Sequence, residues 1–270
     1  MLLVLGIIIP MCARLLIRNT VLFYMLIIWF AAGWLRLIGK AAQKKNDAKD
    51  EFVMRQLVPI SRMLFNGCDP ILAAEQCERL ALGYGGTKYA ALLFLRVDAH
   101  QLSGDIEMAQ LYLEMLAVID GSYFSAGQGY YKWVLFQMER AVRCAAHHYL
   151  TEDYVEAGKW IEKLRDLTED SAVSADECEN YVKNLAWLSH ILRMKNGEYD
   201  GASEFFQERF RASRCILEAV AAQRYLGELH LNNGSVLAAR QALEYVIAHG
   251  NTTRLVAEAR ELIEKCPRLA

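Results

Sequence analysis

A turn residue followed five positions later by alanine recurs four times along this chain, and this spacing constrains the fold more than any other feature. The four pairs are Gly104 and Ala109, Glu152 and Ala157, Gly197 and Ala202, and Gly234 and Ala239. Each pair lies between two amphipathic stretches whose apolar residues recur at helical spacing. Alanine early in the second helix of a hairpin lets that helix pack closely on the first. The pattern predicts stacked antiparallel helical hairpins, an architecture that usually binds other proteins.

The rest of the sequence from residue 51 on is also typical of an all-α protein. No proline lies between residues 71 and 266, and no stretch alternates apolar and polar residues as a half-buried strand does. Asp69, followed by proline, predicts a helix start, and we expect Asp105 and Asp153 to cap the helices that follow them. The Asn-Gly dipeptides at 196–197 and 233–234 favour the left-handed turn that ends a helix.

At the alanine positions the sequence resembles the tetratricopeptide repeat family. In that family the second helix of each hairpin, helix B, has a large apolar residue four positions after the alanine and a small or apolar residue three positions later. Here the first of these positions holds Leu113, Ile161, Phe206 and Leu243, and the second holds Leu116, Leu164, Arg209 and Val246. The first helix, helix A, matches best at Leu226-Gly227-x-x-His230.

The resemblance implies a TPR-like α-solenoid with degenerate repeats over about residues 88–265. Its turns are 48, 45 and 37 residues apart, whereas the family repeat is about 34 residues, so a more general α-solenoid remains an alternative. Residues 52–84 are expected to form an atypical first hairpin, and residues 252–265 an amphipathic capping helix.

The first 50 residues differ from the rest in composition. Residues 21–39 would extend about 28 Å as a helix, close to the ~30 Å hydrocarbon core of a bilayer, so they predict a membrane-spanning helix over about residues 20–39. Residues 2–17 are apolar but interrupted, and three interpretations are open: the first arm of a membrane hairpin, which we favour, an interfacial helix, or a signal peptide. Residues 40–50, with four lysines, predict a basic juxtamembrane linker.

Charge and cysteine content predict where the remaining residues lie. Arg36, near the C-terminal end of the predicted span, and the four lysines that follow it outnumber the two basic residues that precede the span, which by the positive-inside rule places the C-terminal part in the cytoplasm. Seven cysteines without a C-x-x-C motif indicate a reducing compartment. The predicted organisation is an integral membrane protein with a hydrophobic membrane segment over 1–39, in contact with the lipid bilayer, a linker over 40–50 and a cytoplasmic helical repeat domain over 51–270.

Several function classes are disfavoured by the sequence. The chain has 30 basic and 32 acidic residues, and the first 50 positions hold seven of the basic and two of the acidic ones. Residues 51–270 therefore carry a net negative charge, which disfavours binding to nucleic acid. Nucleophile-elbow, Walker and zinc-protease motifs are missing, which predicts a protein that is not an enzyme and has no cofactor or small-molecule substrate. Cys144 and His148 lie one helical turn apart, but no second pair completes a metal site. The segment 83–86 is glycine-rich and predicts a hairpin turn.

These observations predict a membrane-anchored scaffold or adaptor that binds a protein or peptide partner. The alternative is a structural or assembly subunit of a membrane complex that acts through residues 1–39. In the tetratricopeptide family the inner face of helix A lines a concave groove, and the resemblance assigns that face to nine residues. They are Phe94, Asp98, Gln101, Glu139, Tyr149, Asn184, Trp187, Arg224 and Glu228. Aromatic and acidic side chains together suit a peptide of basic character, unless the chain's own helices fill the groove.

Two other groups of residues allow both a functional and a structural interpretation. His100, His148 and His230 each lie four residues before a turn, and they either form a row or occupy half-buried positions, which we favour. The aromatic residues of segment 123–136 form either a recognition patch or, as we expect, part of the core.

Overall fold

Helices account for the regular structure of every part of the chain that is described. The structure, a computed structural model, describes residues 55–80, 87–124 and 129–266, and these contain no strand. Helix α1 comprises residues 55–65. The helices that follow are α2 Pro70–Leu80, α3 Thr87–Ser103, α4 Ile106–Ala117, α5 Gly129–Leu150, α6 Tyr154–Thr168, α7 Ala175–Lys195, α8 Ala202–Arg211, α9 Ile216–Asn232, α10 Val236–His249 and α11 Arg254–Glu264. A short 3₁₀ helix, Gly121–Tyr123, precedes α5.

The membrane localisation predicted above needs correction. Within the described ranges no helix is both long enough and apolar enough to cross a bilayer. The longest helices, α5 and α7, have 22 and 21 residues, but charged side chains such as Glu139, Arg140 and Arg143 of α5 are costly in hydrocarbon. The prediction of an integral membrane protein with a cytoplasmic repeat domain is therefore wrong for this part of the chain. The predicted membrane segment, the linker, the membrane-complex alternative and the glycine-rich turn at 83–86 lie outside the described residues.

The helix starts predicted from aspartate are confirmed. A side-chain oxygen of Asp69 accepts a hydrogen bond from the backbone N–H of Leu72 at 3.2 Å, just as α2 begins. Asp105 caps α4 in the same way, and the Oδ1 atom of Asp153 accepts from the third residue of α6 at 3.1 Å. Each bond satisfies a backbone donor that has no partner within its own helix.

The turns before α4, α8 and α10 each contain a glycine in the left-handed conformation, as the Asn-Gly dipeptides predicted for the last two. Gly104, Gly197 and Gly234 have φ angles of +87°, +83° and +73°. Glu152 occupies the equivalent position before α6 with φ of +61°. An L-residue pays a conformational cost there that glycine does not, so this turn must be held by the packing of the helices it joins.

The alanines of the repeated pattern are core residues, as expected. Ala109, Ala157, Ala202 and Ala239 are each no more than 1% exposed. The large apolar residues four positions later are buried, and of the residues seven positions later only Arg209 is not. Helix B of each pair therefore contacts its neighbours along the face that the sequence indicated.

The helices form two layers within the unit Gln56–Ala270. In the inner layer α3 packs on α5 and α5 on α7, while α9 packs on α11 and α11 on α3. Trp187 of α7 meets Tyr225 of α9, with ring centroids 5.7 Å apart. In the outer layer α4 packs on α3 and α5, α6 on α5 and α7, α8 on α9, and α10 on α9 and α11. The inner helices thus follow one another around a closed circuit.

The first and last hairpins are joined by hydrogen bonds between residues 67–69 and 251–252, which we call the clasp. The backbone N–H of Thr252 donates to the carbonyl of Cys68 at 3.2 Å, and its hydroxyl oxygen is 2.9 Å from Asp69 Oδ1. The side chain of Asn251 donates to the carbonyl of Gly67 at 3.0 Å. Cys68 also belongs to a buried cluster with residues of α9, α10 and α11. The sequence did not predict this contact between the first and last hairpins.

The cysteines of the described residues are reduced and mostly internal. Cys68, Cys77, Cys144, Cys178 and Cys266 are buried, and Cys215 is partly exposed. Burial is the largest factor raising the pKa of Cys77 to about 12 and that of Cys144 to about 11. These thiols therefore behave as small apolar core residues rather than as nucleophiles.

Gly227 of the inner helix α9 lies close against the outer helix α10. A Cβ atom added there would lie 2.5 Å from Cδ2 of the buried Leu243. Although alanine favours helix by up to about 1 kcal/mol, we expect Gly227→Ala to lower the free energy of unfolding by about 1–3 kcal/mol through overpacking. Gly158 of α6 is the matched control, because the nearest atom to an added Cβ is Leu192 Cδ2 at 3.8 Å.

Gly158→Ala is expected to raise the free energy of unfolding by about 0.5–1 kcal/mol, the usual gain when alanine replaces an unhindered helical glycine. Urea unfolding followed by circular dichroism compares the two variants with the unmodified chain. Equal effects of the two substitutions would show that the contact with Leu243 does not govern the packing at Gly227.

Candidate functional site

A partly open cavity of about 350 Å³ lies inside the circuit of inner helices. Its wall comes from α3, α5, α7, α9 and α11, together with Phe65 at the end of α1, and no lining residue belongs to an outer helix. The apolar part of the wall includes Leu102, Val142, Ala146, Leu188, Ile191, Ala221 and Leu255. Such a cavity, mostly apolar with a few convergent polar groups, has the character of a ligand site.

Six of the nine residues assigned to the helix-A face line this one cavity. They are Asp98, Gln101, Glu139, Tyr149, Asn184 and Trp187. Of the other three, Phe94 is buried beneath Arg143, whose guanidinium carbon lies 4.6 Å from the ring centroid. Arg224 lines an adjoining pocket, and Glu228 forms an ion pair with it. The structure therefore brings together most of the predicted face, and its role in binding stays a prediction.

One end of the cavity, the acidic end, is built from Asp98, Glu139 and Arg143. Arg143 Nη2 donates to Asp98 Oδ2 at 2.7 Å, and Nη1 pairs with the Glu139 carboxylate one helical turn earlier. The hydroxyl of Tyr181 donates to the second Glu139 oxygen at 2.8 Å. Two carboxylates thus share one guanidinium, which leaves one negative charge uncompensated when all three groups are ionised.

The pKa values of the two carboxylates at the acidic end are shifted in opposite directions. Burial raises the pKa of Asp98 above its usual range, because Arg143 offsets only part of the cost of desolvating the charge. Burial also disfavours the charged form of Glu139, but Arg143 and Tyr181 outweigh it and lower that pKa. Glu139 is therefore the fully paired carboxylate, and Asp98 is the one that lacks a complete set of partners.

At the opposite end of the cavity three basic side chains are paired with two carboxylates. Arg224 Nε donates to Glu258 Oε2 at 2.7 Å, and Arg224 also pairs with Glu228. Arg254, on the cavity wall, pairs with Glu258. Lys195 Nζ lies 3.7 Å from Glu228. Each carboxylate of this group has at least one basic partner.

The histidine and aromatic residues that allowed two interpretations have structural roles. His100, His148 and His230 are partly buried, and His100 Nδ1 lies 3.1 Å from the capping carboxylate of Asp105. In the aromatic segment, Phe136 is buried and stacks on Trp133 with ring centroids 5.4 Å apart. The half-buried interpretation is therefore confirmed for the three histidines, and the core interpretation for Phe136, whereas Tyr130 of the same segment is 64% exposed and is not part of the core.

The described part of the chain has no group of three or more His, Cys, Asp and Glu arranged to hold a metal ion. Of the pair Cys144 and His148, Cys144 is buried, whereas His148 is half-buried and its Nδ1 lies 3.7 Å from the carboxylate of Asp153. The two side chains therefore have different surroundings.

Sequence reasoning missed several residues of the cavity. Arg143 follows Glu139 by four positions, a spacing that predicts an ion pair on one helix face and was available as a signal. Phe65, Tyr225 and Arg254 also line the cavity. Phe65 and Arg254 reach it because the clasp joins the first and last hairpins of the described residues, and no local pattern indicates that contact.

Comparison with protein-family models, with curated proteins and with solved structures finds no match to this chain. The interpretation of the cavity therefore depends on its own geometry.

Proposed function

We propose that this chain is a degenerate tetratricopeptide-like helical repeat protein that binds a segment of a partner polypeptide at the central cavity. The observation that carries the proposal is the convergence of six helix-A residues on one cavity. The buried alanines of helix B support the repeat interpretation, because they occupy the positions where that family packs its helices. A scaffold or adaptor role follows from this kind of binding.

The size of the cavity limits how a partner is recognised. The available volume is about 350 Å³. A dry cavity of about 150 Å³ holds one benzene molecule, so this cavity has room for about two side chains. The partner would therefore insert one or two anchoring side chains and leave its backbone at the mouth, beside the exposed Asn184.

A substitution that fills the cavity tests this function. Ala146→Trp adds a large side chain to the wall, and Ala248→Trp, at an exposed position of α10, is the matched control. A random peptide library would be selected on the purified 270-residue chain and each selected peptide titrated against both variants. We expect Ala146→Trp to weaken binding by at least about tenfold, since the anchoring contacts are lost, and Ala248→Trp to leave it unchanged.

Circular dichroism would first establish that both tryptophan variants fold. The proposed function fails if the library yields no binding peptides, or if every selected peptide binds the Ala146→Trp variant as tightly as the unmodified chain.

A further inference from the structure

The side of α3 that faces the cavity carries two hydrogen-bond acceptors without donors. Asp98 uses Oδ2 for Arg143, and no described residue donates to its Oδ1. Gln101, three residues later and 7% exposed, uses Nε2 to donate to the carbonyl of Arg143 at 3.0 Å. A carbonyl only accepts hydrogen bonds, so this contact fixes which end of the Gln101 amide is nitrogen and leaves Oε1 without a donor among the described residues.

Both residues line the cavity, and neither oxygen is among the enclosed, unpartnered side-chain atoms of the described residues, so both oxygens are open to the cavity. A donor that a ligand supplies there would complete their hydrogen bonding. The uncompensated negative charge of the acidic end favours a cation as well, because a charge in a largely buried site is stabilised by an opposite partner. A ligand that carries both donors and positive charge would supply both.

The remaining wall also suits a cation attached to an apolar chain. Four aromatic rings line the cavity, those of Phe65, Tyr149, Trp187 and Tyr225, and aromatic faces attract ammonium and guanidinium groups, more strongly when water is excluded. The aliphatic side chains between them can contact the methylene groups of a long side chain. The basic residues at the opposite end are engaged by Glu228 and Glu258.

We propose that the acidic end of the cavity is a cation subsite, and that the polypeptide segment bound under the proposed function inserts a lysine or arginine side chain there. The ammonium or guanidinium group donates to Asp98 Oδ1 and Gln101 Oε1, and the methylene groups of that side chain lie against the aromatic rings. This inference rests on the proposed function for the nature of the partner, whereas the cation subsite itself can be tested without a peptide.

The first experiment uses three small probes of equal chain length: hexylammonium, hexanol and hexanoate. We expect calorimetric titration of the 270-residue chain to give hexylammonium an affinity at least about tenfold higher than hexanol, from its charged hydrogen bonds, and hexanoate the weakest binding. Asp98→Asn should reduce the preference for hexylammonium to about that of hexanol. Asp200→Asn, an exposed control in the turn after α7, should leave it unchanged.

Equal binding of the three probes, or an unchanged preference in Asp98→Asn, would overturn the cation subsite. Glu139→Gln is the second variant if Asp98→Asn does not fold, because it also neutralises the acidic end, and it has the same expected result.

The second experiment separates this inference from the proposed function. Peptides selected by the library should contain lysine or arginine, and Asp98→Asn should weaken their binding by at least about tenfold. Peptides without basic residues whose binding is still weakened by Ala146→Trp would overturn the inference and leave the proposed function intact. If no peptide responds to Ala146→Trp, the proposed function fails, and the three small probes alone decide whether the cation subsite exists.

Discussion

Replacing Phe206 with alanine is expected to lower the free energy of unfolding by about 3–5 kcal/mol, the usual cost of removing a fully buried aromatic side chain and leaving a cavity. Phe206 of the outer helix α8 is inaccessible to solvent. Its ring stacks on that of Tyr225 and meets that of Trp187 edge-on, each at a centroid distance of 5.0 Å. It therefore joins α8 to the two inner helices α7 and α9.

Phe205→Ala is the matched control for this prediction. Phe205 is the adjacent residue and stacks on His190 at 4.1 Å, but it is only partly buried. We expect its loss to cost about 1–2 kcal/mol, because part of the ring is already exposed to water. Urea unfolding gives both values, and a Phe206→Ala cost no larger than that of Phe205→Ala would contradict the assignment of Phe206 as the centre of this contact.

The parts of the fold that the sequence predicts are those fixed by local interactions. The caps of Asp105 and Asp153 act over three residues, and the glycine turns depend on the backbone freedom of a single residue. The burial of Ala157, Ile161 and Leu164 follows from positions on one face of a single helix. Each of these features can be recognised in a short window of sequence.

The closed circuit could not be predicted in this way. Asn251 and Gly67, which meet in the clasp, are 184 residues apart, and their residue types are ordinary for turns. Whether the two ends of a helical array meet depends on small rotations added from one helix pair to the next. The family resemblance implied a concave groove, so it predicted lining residues on the inner helices but not their enclosure with Phe65 and Arg254.

The candidate site, like the fold, could be predicted from the sequence only in part. Asp98 and Gln101 are three residues apart on α3, and Glu139 lies on α5, so helical periodicity with the family pattern was enough to select them. The charge excess at the acidic end was not visible, because it depends on Arg143 reaching across from α5 to α3 to pair with Asp98 at 2.7 Å. Long side chains that bridge two helices have no reliable sequence signal.

Arg143→Met is expected to lower the free energy of unfolding by about 3–5 kcal/mol, because it leaves Asp98 and Glu139 without their shared cation in a largely buried site. The side chains of Arg143 and Asp98 are only 14% and 16% exposed. Arg140→Met is the control on the same helix. Arg140 lies over the ring of Trp160 at 5.3 Å, a contact worth about 0.5–1 kcal/mol at a partly exposed position.

A triple variant distinguishes lost charge pairing from lost packing in this prediction. Asp98→Asn and Glu139→Gln remove the carboxylates that Arg143→Met leaves unpaired, so the combination should recover most of the lost stability. Urea unfolding of the single and triple variants measures the recovery. If the triple variant is as unstable as Arg143→Met alone, then packing of the arginine on Phe94, rather than its charge, holds this end of the cavity together.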